Sequence, residues 1–281
     1  MNSIFLPIIG MGVVVLGLFF FVVLGVAFWT GFNLGRRRGA RLEETEKEST
    51  ATSTLTASML GLMAFVLGLT INVAQSRFEA RREMVTTEAN TIGTAWLRAR
   101  LVGGPEGEAM AGLIHDYART RLAFTAADHD APIPGLIART GEQQGQIWAL
   151  ATSVAQKAPT PITASLIGAL NQMFDSSLSQ RFAFEGVVPG DMVNLLFFGS
   201  MLAVGAMGYL IGLSGVSQPV LTSLLLIMWS GGLAMTVDLE RPRLGDIRVE
   251  TTPLEWTIQG MESGPARPSS TTSPGSNRPS P

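Results

Sequence analysis

Few side chains in this 281-residue sequence could carry out acid–base, nucleophilic or metal chemistry. The chain has no cysteine, which excludes a disulfide scaffold, a thiolate metal site and a cysteine nucleophile. Of its two histidines, His115 and His129, the first stands beside Asp116 but has no second ligand one helical turn away. Residues 103–107 are glycine-rich but lack the Lys-Ser/Thr pair of a phosphate-binding loop, so we predict a turn. We therefore expect no metal, no cofactor and no enzymatic activity.

The other ionisable side chains of interest are concentrated in residues 77–101, a stretch with few helix breakers. Glu79 and Glu83 share this predicted helix with Arg81 and Arg82. The simplest interpretation is ion pairing between residues one turn apart, worth about 0.2–0.5 kcal/mol for each pair. These charges indicate a water-exposed helix.

Long segments without charged residues indicate the helices that position these side chains. The composition is 46% hydrophobic and 15% charged, whereas soluble domains carry about a quarter charged residues. No Asp, Glu, Lys or Arg occurs in residues 1–35, 49–76 or 192–237. The net charge of −2 provides no basic field for nucleic acid. This pattern predicts a polytopic membrane protein with one sizeable water-exposed region.

Four helices of about 20 residues could cross the hydrocarbon layer. We predict the first at 4–32, where no basic residue precedes the long apolar run, unlike a cleaved signal peptide. The second is 55–74. The break at 217–219 divides the last charge-free segment into spans 193–213 and 220–237, which we expect to pack as antiparallel neighbours. Both termini would then lie on one side of the membrane.

The second span is the weakest of the four as a lipid-facing helix. It contains Gly61, Gly68 and Asn72. Small residues of this kind let helices pack closely, and this is the interpretation that composition favours. The alternative is that the same face lines a pore, where a polar side chain is tolerated.

The hydrophilic region reads as helical throughout, and its first helix continues directly from the second span. The predicted helices are residues 77–101, 106–126, 135–156 and 161–184. Residues 187–190 form a hinge into the third span. The Pro, Ser, Thr and Gly-rich tail cannot bury apolar surface and should be disordered.

We therefore predict an all-α polytopic membrane protein with a helical water-exposed domain inserted between spans two and three. Its five parts are residues 1–76 with spans one and two, 77–191 as the helical water-exposed domain, 192–237 with spans three and four, 238–261 as a segment packing on the helical domain, and 262–281 as the tail.

Two sequence pieces carry a family resemblance. The first begins just after span two, and the second, residues 238–245, just after span four. Together they resemble the signature of the bestrophin-like family of bacterial membrane proteins of unknown function, and the resemblance covers about residues 55–249. The matching positions of the first piece are Ser76, Arg77, Phe78, Glu79, Arg81, Arg82, Glu88, Ala89, Asn90, Thr94, Trp96, Leu97 and Arg98.

The second span is also distantly similar to that of the bestrophin channels. It shares Phe-Val-Leu-Gly at residues 65–68 and Arg-aromatic at residues 77–78. The similarity implies a homopentamer with its pore along span two, and by position it places the narrow neck at Gly61, Phe65 and Leu69. Fivefold rings of Phe and Leu would form a constriction that gates by dewetting, although Gly61 departs from the bulky residue expected there.

The same similarity implies a polar pore lining at Asn72 and Gln75 and small inorganic ions as the transported species. Anions are the default, because a ring of Arg77 at the mouth would favour them, while Glu79 could reverse the sign. The bestrophin calcium clasp is not matched, since the acidic residues after span four are interleaved with arginines.

Orientation depends on the resemblance. Five basic residues between spans one and two face seven on the other side, so the positive-inside rule gives no decision. The bestrophin similarity implies that the large domain and both termini are cytoplasmic, in a bacterial inner membrane.

The polar residues of the two motif pieces must be paired if they lie between packed helices. We predict that they join the helix after span two to the segment after span four; the alternative is that they hold the fold and never touch an ion. The motif residues assigned to this network are Arg77, Arg81, Glu88, Asn90, Arg98, Arg241, Pro242 and Gly245.

Two functions remain open at this point. The first is the oligomeric ion channel just described. The second is a non-conducting membrane scaffold or sensor whose helical domain binds a partner protein. A partner nucleic acid is excluded by charge.

Overall fold

The chain folds as a helical protein in its described residues. The computed structural model describes residues 12–39, 46–128, 131–186, 190–215 and 218–263, and these ranges contain helices and no strand. His129 and the tail from residue 264 lie outside them. The helices are α1 (Val13–Gly39), α2 (Glu46–Val102), α3 (Gly104–Ala126), α4 (Ile133–Lys157), α5 (Pro161–Glu185), α6 (Gly190–Ser214), α7 (Pro219–Leu239) and α8 (Thr252–Ser263).

Four of these helices are long and apolar enough to cross a membrane: α1, α2, α6 and α7. The all-α prediction with four spans is therefore confirmed for the described residues. The predicted start of the first span, at residue 4, lies outside the described residues, but the helix extends beyond its predicted end. It continues past residue 32 to Gly39, and its last turn carries Arg36, Arg37 and Arg38, where positive charge is favoured by the helix dipole.

Helix α2 is one uninterrupted element of 57 residues, about 85 Å long at 1.5 Å per residue. The prediction that span two continues into the hydrophilic region is therefore confirmed. The helix begins nine residues before the predicted span, at Glu46, and hydroxyl groups near its start find acceptors within the helix. Thr56 Oγ1 donates to Thr52 O at 2.9 Å. It ends before Gly103 and Gly104, whose φ values of 69° and 67° suit glycine.

Helices α1 and α6 touch through their backbones. A methyl group on Gly31 would lie 2.0 Å from the carbonyl oxygen of Gly205, and one on Gly35 would lie 2.0 Å from that of Tyr209. From the other side, a methyl group on Gly208 would lie 2.2 Å from the carbonyl oxygen of Phe28. This close approach requires glycine on both helices.

The membrane helices share one apolar core, contributed mainly by α1, α6 and α7. Leu16, Leu24 and Val204 are fully buried in it. The indole Nε1 of Trp229 donates to Ser200 Oγ at 2.9 Å, so a polar group inside this core has its partner. Helix α2 attaches to this core through side chains rather than through its backbone.

A second core joins the C-terminal half of α2 to α3, α4, α5 and α8. Ile92 of α2, Ile114 of α3 and Leu170 of α5 are fully buried there. Helix α8 adds Leu254 and Ile258 to the same core. This helix is absent from the sequence-based predictions, because its twelve residues carry few apolar positions. It places the segment after the fourth span against the helical bundle.

The glycine contact gives a direct test of the α1–α6 packing. We expect Gly35→Ala to lower the Tm of the detergent-purified protein by several degrees, because overpacking costs about 1–3 kcal/mol. Gly25→Ala is the matched control on the same helix, where an added methyl group meets nothing within 4 Å. Equal melting temperatures for the two variants would contradict the close contact.

Candidate functional site

One face of α2 is left uncovered by the other described residues of the chain. Phe65 is 64% exposed and Leu69 is 50% exposed, and Gly61 and Asn72 are exposed with them. Residues spaced three or four positions apart share a helix face. The opposite face carries Thr70 and other buried residues that pack against α6 and α7. The predicted neck residues therefore lie on the free side of the helix, which we call the α2 stripe.

The glycines of the second span do not serve helix packing within one chain. A methyl group on Gly61 or Gly68 would meet nothing within 4 Å. Glycines on the neighbouring helices do make room for side chains of α2. Met63 of α2, for example, packs over Gly199 of α6. Packing between helices of the same chain, the interpretation favoured by composition, therefore does not account for Gly61 and Gly68.

The α2 stripe continues beyond the apolar region as polar and acidic side chains. Ser76, Glu79, Glu83 and Asn90 follow Asn72 at helical spacing, and all are exposed. Among the described residues, neither of the two carboxylates has a basic partner. The 3–4 spacing from Asn72 was the sequence signal that would have added these acidic residues to the stripe.

Gln75 lies beside the stripe and is partly buried. Its Nε2 donates to Glu79 Oε1 at 3.1 Å. Arg77 is five positions beyond Asn72 and so lies about 140° around the helix from it. Its Nη1 faces the region of Gly186, where an added methyl group would be 3.7 Å away. Arg77 and the exposed carboxylates thus lie on different sides of α2.

Arg81 connects α2 to the ends of two other helices. Its side chain is only 1% exposed. Nε donates to Ala183 O at 3.1 Å, Nη2 to Gly186 O at 3.0 Å and Nη1 to Leu239 O at 2.9 Å. These carbonyls end α5 and α7, where helices lack intrahelical donors. Of the motif residues on α2, Arg81 is the one that reaches the end of the fourth span.

The second motif piece folds into a tight turn around the buried carboxylate of Asp238. Its Oδ1 accepts from the backbone N–H of Asp246 and its Oδ2 from that of Ile247, both at 3.0 Å. The backbone N–H of Gly245 donates to Arg241 O at 2.9 Å, and a methyl group there would lie 2.6 Å from Asp238 O. Gly245 is therefore required by space.

The remaining motif residues surround this turn. Pro242 is half-buried in it. Burial lowers the pKa of Arg241, and the nearby carboxylate of Asp238 partly offsets this. Asp246 Oδ2 accepts from the backbone N–H of Val13 at 2.8 Å, which ties the turn to the start of α1. Within the described ranges, no group of three or more His, Asp or Glu side chains could hold a metal ion.

Glu88 forms a buried ion pair with a residue that the sequence did not single out. Arg121 Nε of α3 donates to Glu88 Oε1 at 2.5 Å, and both side chains are almost fully buried. Arg121 also donates to Ser177 O and Gln180 Oε1 of α5. The prediction that Glu88 pairs with the segment after span four is wrong. The face of α2 that carries Glu88 points towards α3 and α5, so its partner is Arg121.

Two other network residues also differ from their expected contacts. Arg98 Nη1 donates to Ser165 O of α5 at 2.7 Å rather than to the segment after α7. Asn90 is exposed on the α2 stripe. Both side chains lie too far along α2 from Arg81 to meet the end of α7.

Arg243, from the second motif piece, locks that piece onto the bundle. Its guanidinium lies 4.5 Å from the ring centre of Phe124 and 5.1 Å from that of Phe184. Its Nη1 donates to Phe124 O at 2.8 Å. Burial lowers the pKa of Arg243, and the neighbouring charge of Arg121 lowers it further. Arg243 belongs to the motif piece at residues 238–245, but the sequence did not indicate which residues it contacts.

These features coincide with a known family. A family model described as the bestrophin-like domain matches residues 17–254. The chain therefore belongs to the bestrophin-like family. The match begins inside the first span, so it extends further than the resemblance that the two motif pieces support.

Solved structures share the fold. A variant of a bacterial bestrophin homologue from Klebsiella pneumoniae is 13% identical with a TM-score of 0.62, covering 89% of this chain and 96% of that one. A further structure of that homologue is 14% identical with a TM-score of 0.60, covering 89% and 95%. A structure described as a membrane protein is 14% identical with a TM-score of 0.56, covering 89% and 96%. No curated protein matches the chain significantly.

The three hydrogen bonds that Arg81 donates to backbone carbonyls suggest a test of its structural role. We expect Arg81→Lys and Arg81→Ala to lower the yield and the Tm of the folded protein, since an ammonium cannot reproduce the planar fork and Ala leaves buried carbonyls unpaired, at about 1–3 kcal/mol each. Arg82→Ala, at the exposed neighbouring position, is the control. Gel filtration and thermal melting in detergent measure both, and a wild-type Tm for Arg81→Ala would contradict the structural role.

Proposed function

We propose that this protein forms an oligomeric ion channel, most simply a homopentamer, with its pore along the α2 stripe. The observation that carries this proposal is the stripe itself: a continuous helix face that no described residue of the chain covers. The family relationship supports it, because the bestrophin channels that the sequence resembles use their second span in this way.

The composition of the α2 stripe favours water over lipid. Asn72, inside the predicted span, continues the line of Phe65 and Leu69 at helical spacing, and Ser76 and Glu79 follow it beyond the end of the span. Polar and charged side chains at membrane depth are costly unless they face a water-filled space or a protein partner. In a cyclic oligomer every copy presents the same face to the axis, so each stripe residue becomes a ring.

The rings of the stripe differ in character along its length. Phe65 and Leu69 would form the apolar constriction, and Gly61 would leave its outer end wider. Asn72 and Gln75 would supply polar lining next to the constriction. The other outward surfaces of the spans would contact lipid. The helical bundle and both termini would lie on the cytoplasmic side of a bacterial inner membrane.

The charges along the stripe bear on the sign of the transported ion. The expectation of anions rests on Arg77 facing the pore, but Arg77 lies on another side of α2 from the exposed Glu79 and Glu83. Acidic rings attract cations. We therefore infer that this mouth favours cations, and anions are the alternative that the reversal potential distinguishes.

Cysteine accessibility tests the position of the pore, because the chain has no cysteine of its own. In planar-bilayer recordings of purified protein, a charged thiol reagent should reduce the current of Leu69→Cys by at least half, since each subunit would add a bulky charge to the constriction. Leu224→Cys, on the exposed side of α7, is the control and should keep its current.

The apolar constriction is tested by making the side chain at residue 65 smaller. We expect Phe65→Ala to raise the unitary conductance severalfold in the same recordings, because the ring of phenyl groups is removed. Phe198→Ala, an exposed aromatic residue on α6, should conduct like wild type. Absence of current in wild type and in Phe65→Ala would remove the channel proposal and favour the non-conducting scaffold.

Selectivity is tested in a potassium chloride gradient. We expect the wild-type reversal potential to lie towards the potassium equilibrium potential, and the double variant Glu79→Gln, Glu83→Gln to shift it towards zero, since the acidic rings lose their charge. Glu142→Gln, an exposed acidic residue on α4, is the control. A wild-type reversal potential near that of chloride would restore the anion alternative.

A further inference from the structure

A cavity of about 340 Å³, lined by both apolar and polar side chains, lies between α3, α4 and α5, away from the α2 stripe. Its volume falls within the range of small-molecule sites. Charged and amide side chains line it together with hydroxyl groups. The polar lining residues used below are Arg121, Gln144, Asp175, Ser177 and Arg181.

The cavity has a fixed cation in its wall. The Arg121 side chain is 2% exposed and is held from behind by Glu88, Ser177 and Gln180. All of these bonds are made by its Nε and Nη2 atoms. Its Nη1 makes no hydrogen bond to any described residue, although Arg121 lines the cavity. A buried donor with its orientation already fixed costs little to engage.

A second cation, Arg181, also lines the cavity. Arg181 is 41% exposed, and only its Nε is engaged, by Glu185 at 2.7 Å. Ser177, whose carbonyl accepts from Arg121, is one turn earlier on α5. Two guanidinium groups lining one cavity are suited to a carboxylate, which accepts in-plane hydrogen bonds from both.

The cavity lining also offers acceptors. Asp175 is six residues before Arg181 on α5, about 9 Å along the helix axis, and its side chain is exposed to the cavity and solvent. Both hydrogens of the Gln144 amide nitrogen are directed to Tyr117 Oη and Ser177 Oγ, at 3.3 and 3.0 Å. The Gln144 carbonyl oxygen accepts no hydrogen bond from a described residue.

We propose that this cavity binds a small zwitterion, a molecule with one carboxylate and one amine such as a free amino acid. The carboxylate is held between Arg121 and Arg181, and the amine is held by Asp175 and the carbonyl oxygen of Gln144. A multiply charged anion such as phosphate fits less well, because Asp175 repels it.

The cavity is connected to α2 by one ion pair. A ligand carboxylate that binds Arg121 Nη1 would contact the same guanidinium that pairs with Glu88. The ligand therefore binds beside the one charged contact between α3 and the buried face of α2. This inference does not depend on whether the protein conducts ions.

The test uses the purified full-length protein and the individual free amino acids at about 10 mM, tenfold above a Kd of about 1 mM. Intrinsic tryptophan fluorescence reports melting, since the chain has five Trp residues. We expect at least one amino acid to raise the Tm by roughly 3 °C, and its amide derivative, which lacks the carboxylate, to have no effect.

Two variants and one control complete the test. Arg181→Gln and Asp175→Asn should each weaken binding of that amino acid at least tenfold while melting like wild type without ligand, because both side chains are on the surface. Arg139→Gln, an exposed arginine on α4 outside the cavity, should bind normally. No shift with any amino acid, an equal shift with the amide, or unchanged binding in both cavity variants would overturn the proposal.

Discussion

Three helices meet at the guanidinium of Arg81, where α2 passes from the membrane core to the helical bundle. The carbonyls of Ala183, Gly186 and Leu239 have one donor each from this group. A guanidinium presents its hydrogens in a rigid plane, so satisfying all three carbonyls fixes the ends of α5 and α7 relative to α2. The two cores are thereby assembled around one buried side chain, and the turn around Asp238 follows directly from the fixed end of α7.

Features that depend on local periodicity were predictable from the sequence. The continuity of α2 follows from the lack of a breaker near Arg77, and the shared face of Phe65 and Leu69 follows from their spacing. Contacts between distant helices were not predictable in the same way. Glu88 pairs with Arg121, 33 residues away, because of how α2 and α3 are rotated, and several other arginines would satisfy the sequence equally well. Helix α8 and the partner of Gly35 required the folded arrangement for the same reason.

Helix α2 has different roles on its two faces. The buried face carries Arg81 and Glu88 and organises the bundle, while the α2 stripe carries Phe65, Asn72 and the exposed acidic residues. Arg121 links the buried face of α2 to the cavity between α3, α4 and α5, since it binds Glu88 on one side and lines the cavity on the other. Occupancy of the cavity and the position of α2 are thus connected through a single charged contact.

The way in which the membrane helices touch determines which of them can change position. Helices α1 and α6 meet backbone to backbone at Gly31 and Gly35, with no side chain between them whose rotamer could adjust. Helix α2 instead rests on α6 through the unbranched thioether of Met63, a side chain with three rotatable bonds. We therefore expect the α1–α6 pair to act as a rigid frame, and a small tilt or rotation of α2 to be absorbed by rotamer changes at this compliant contact.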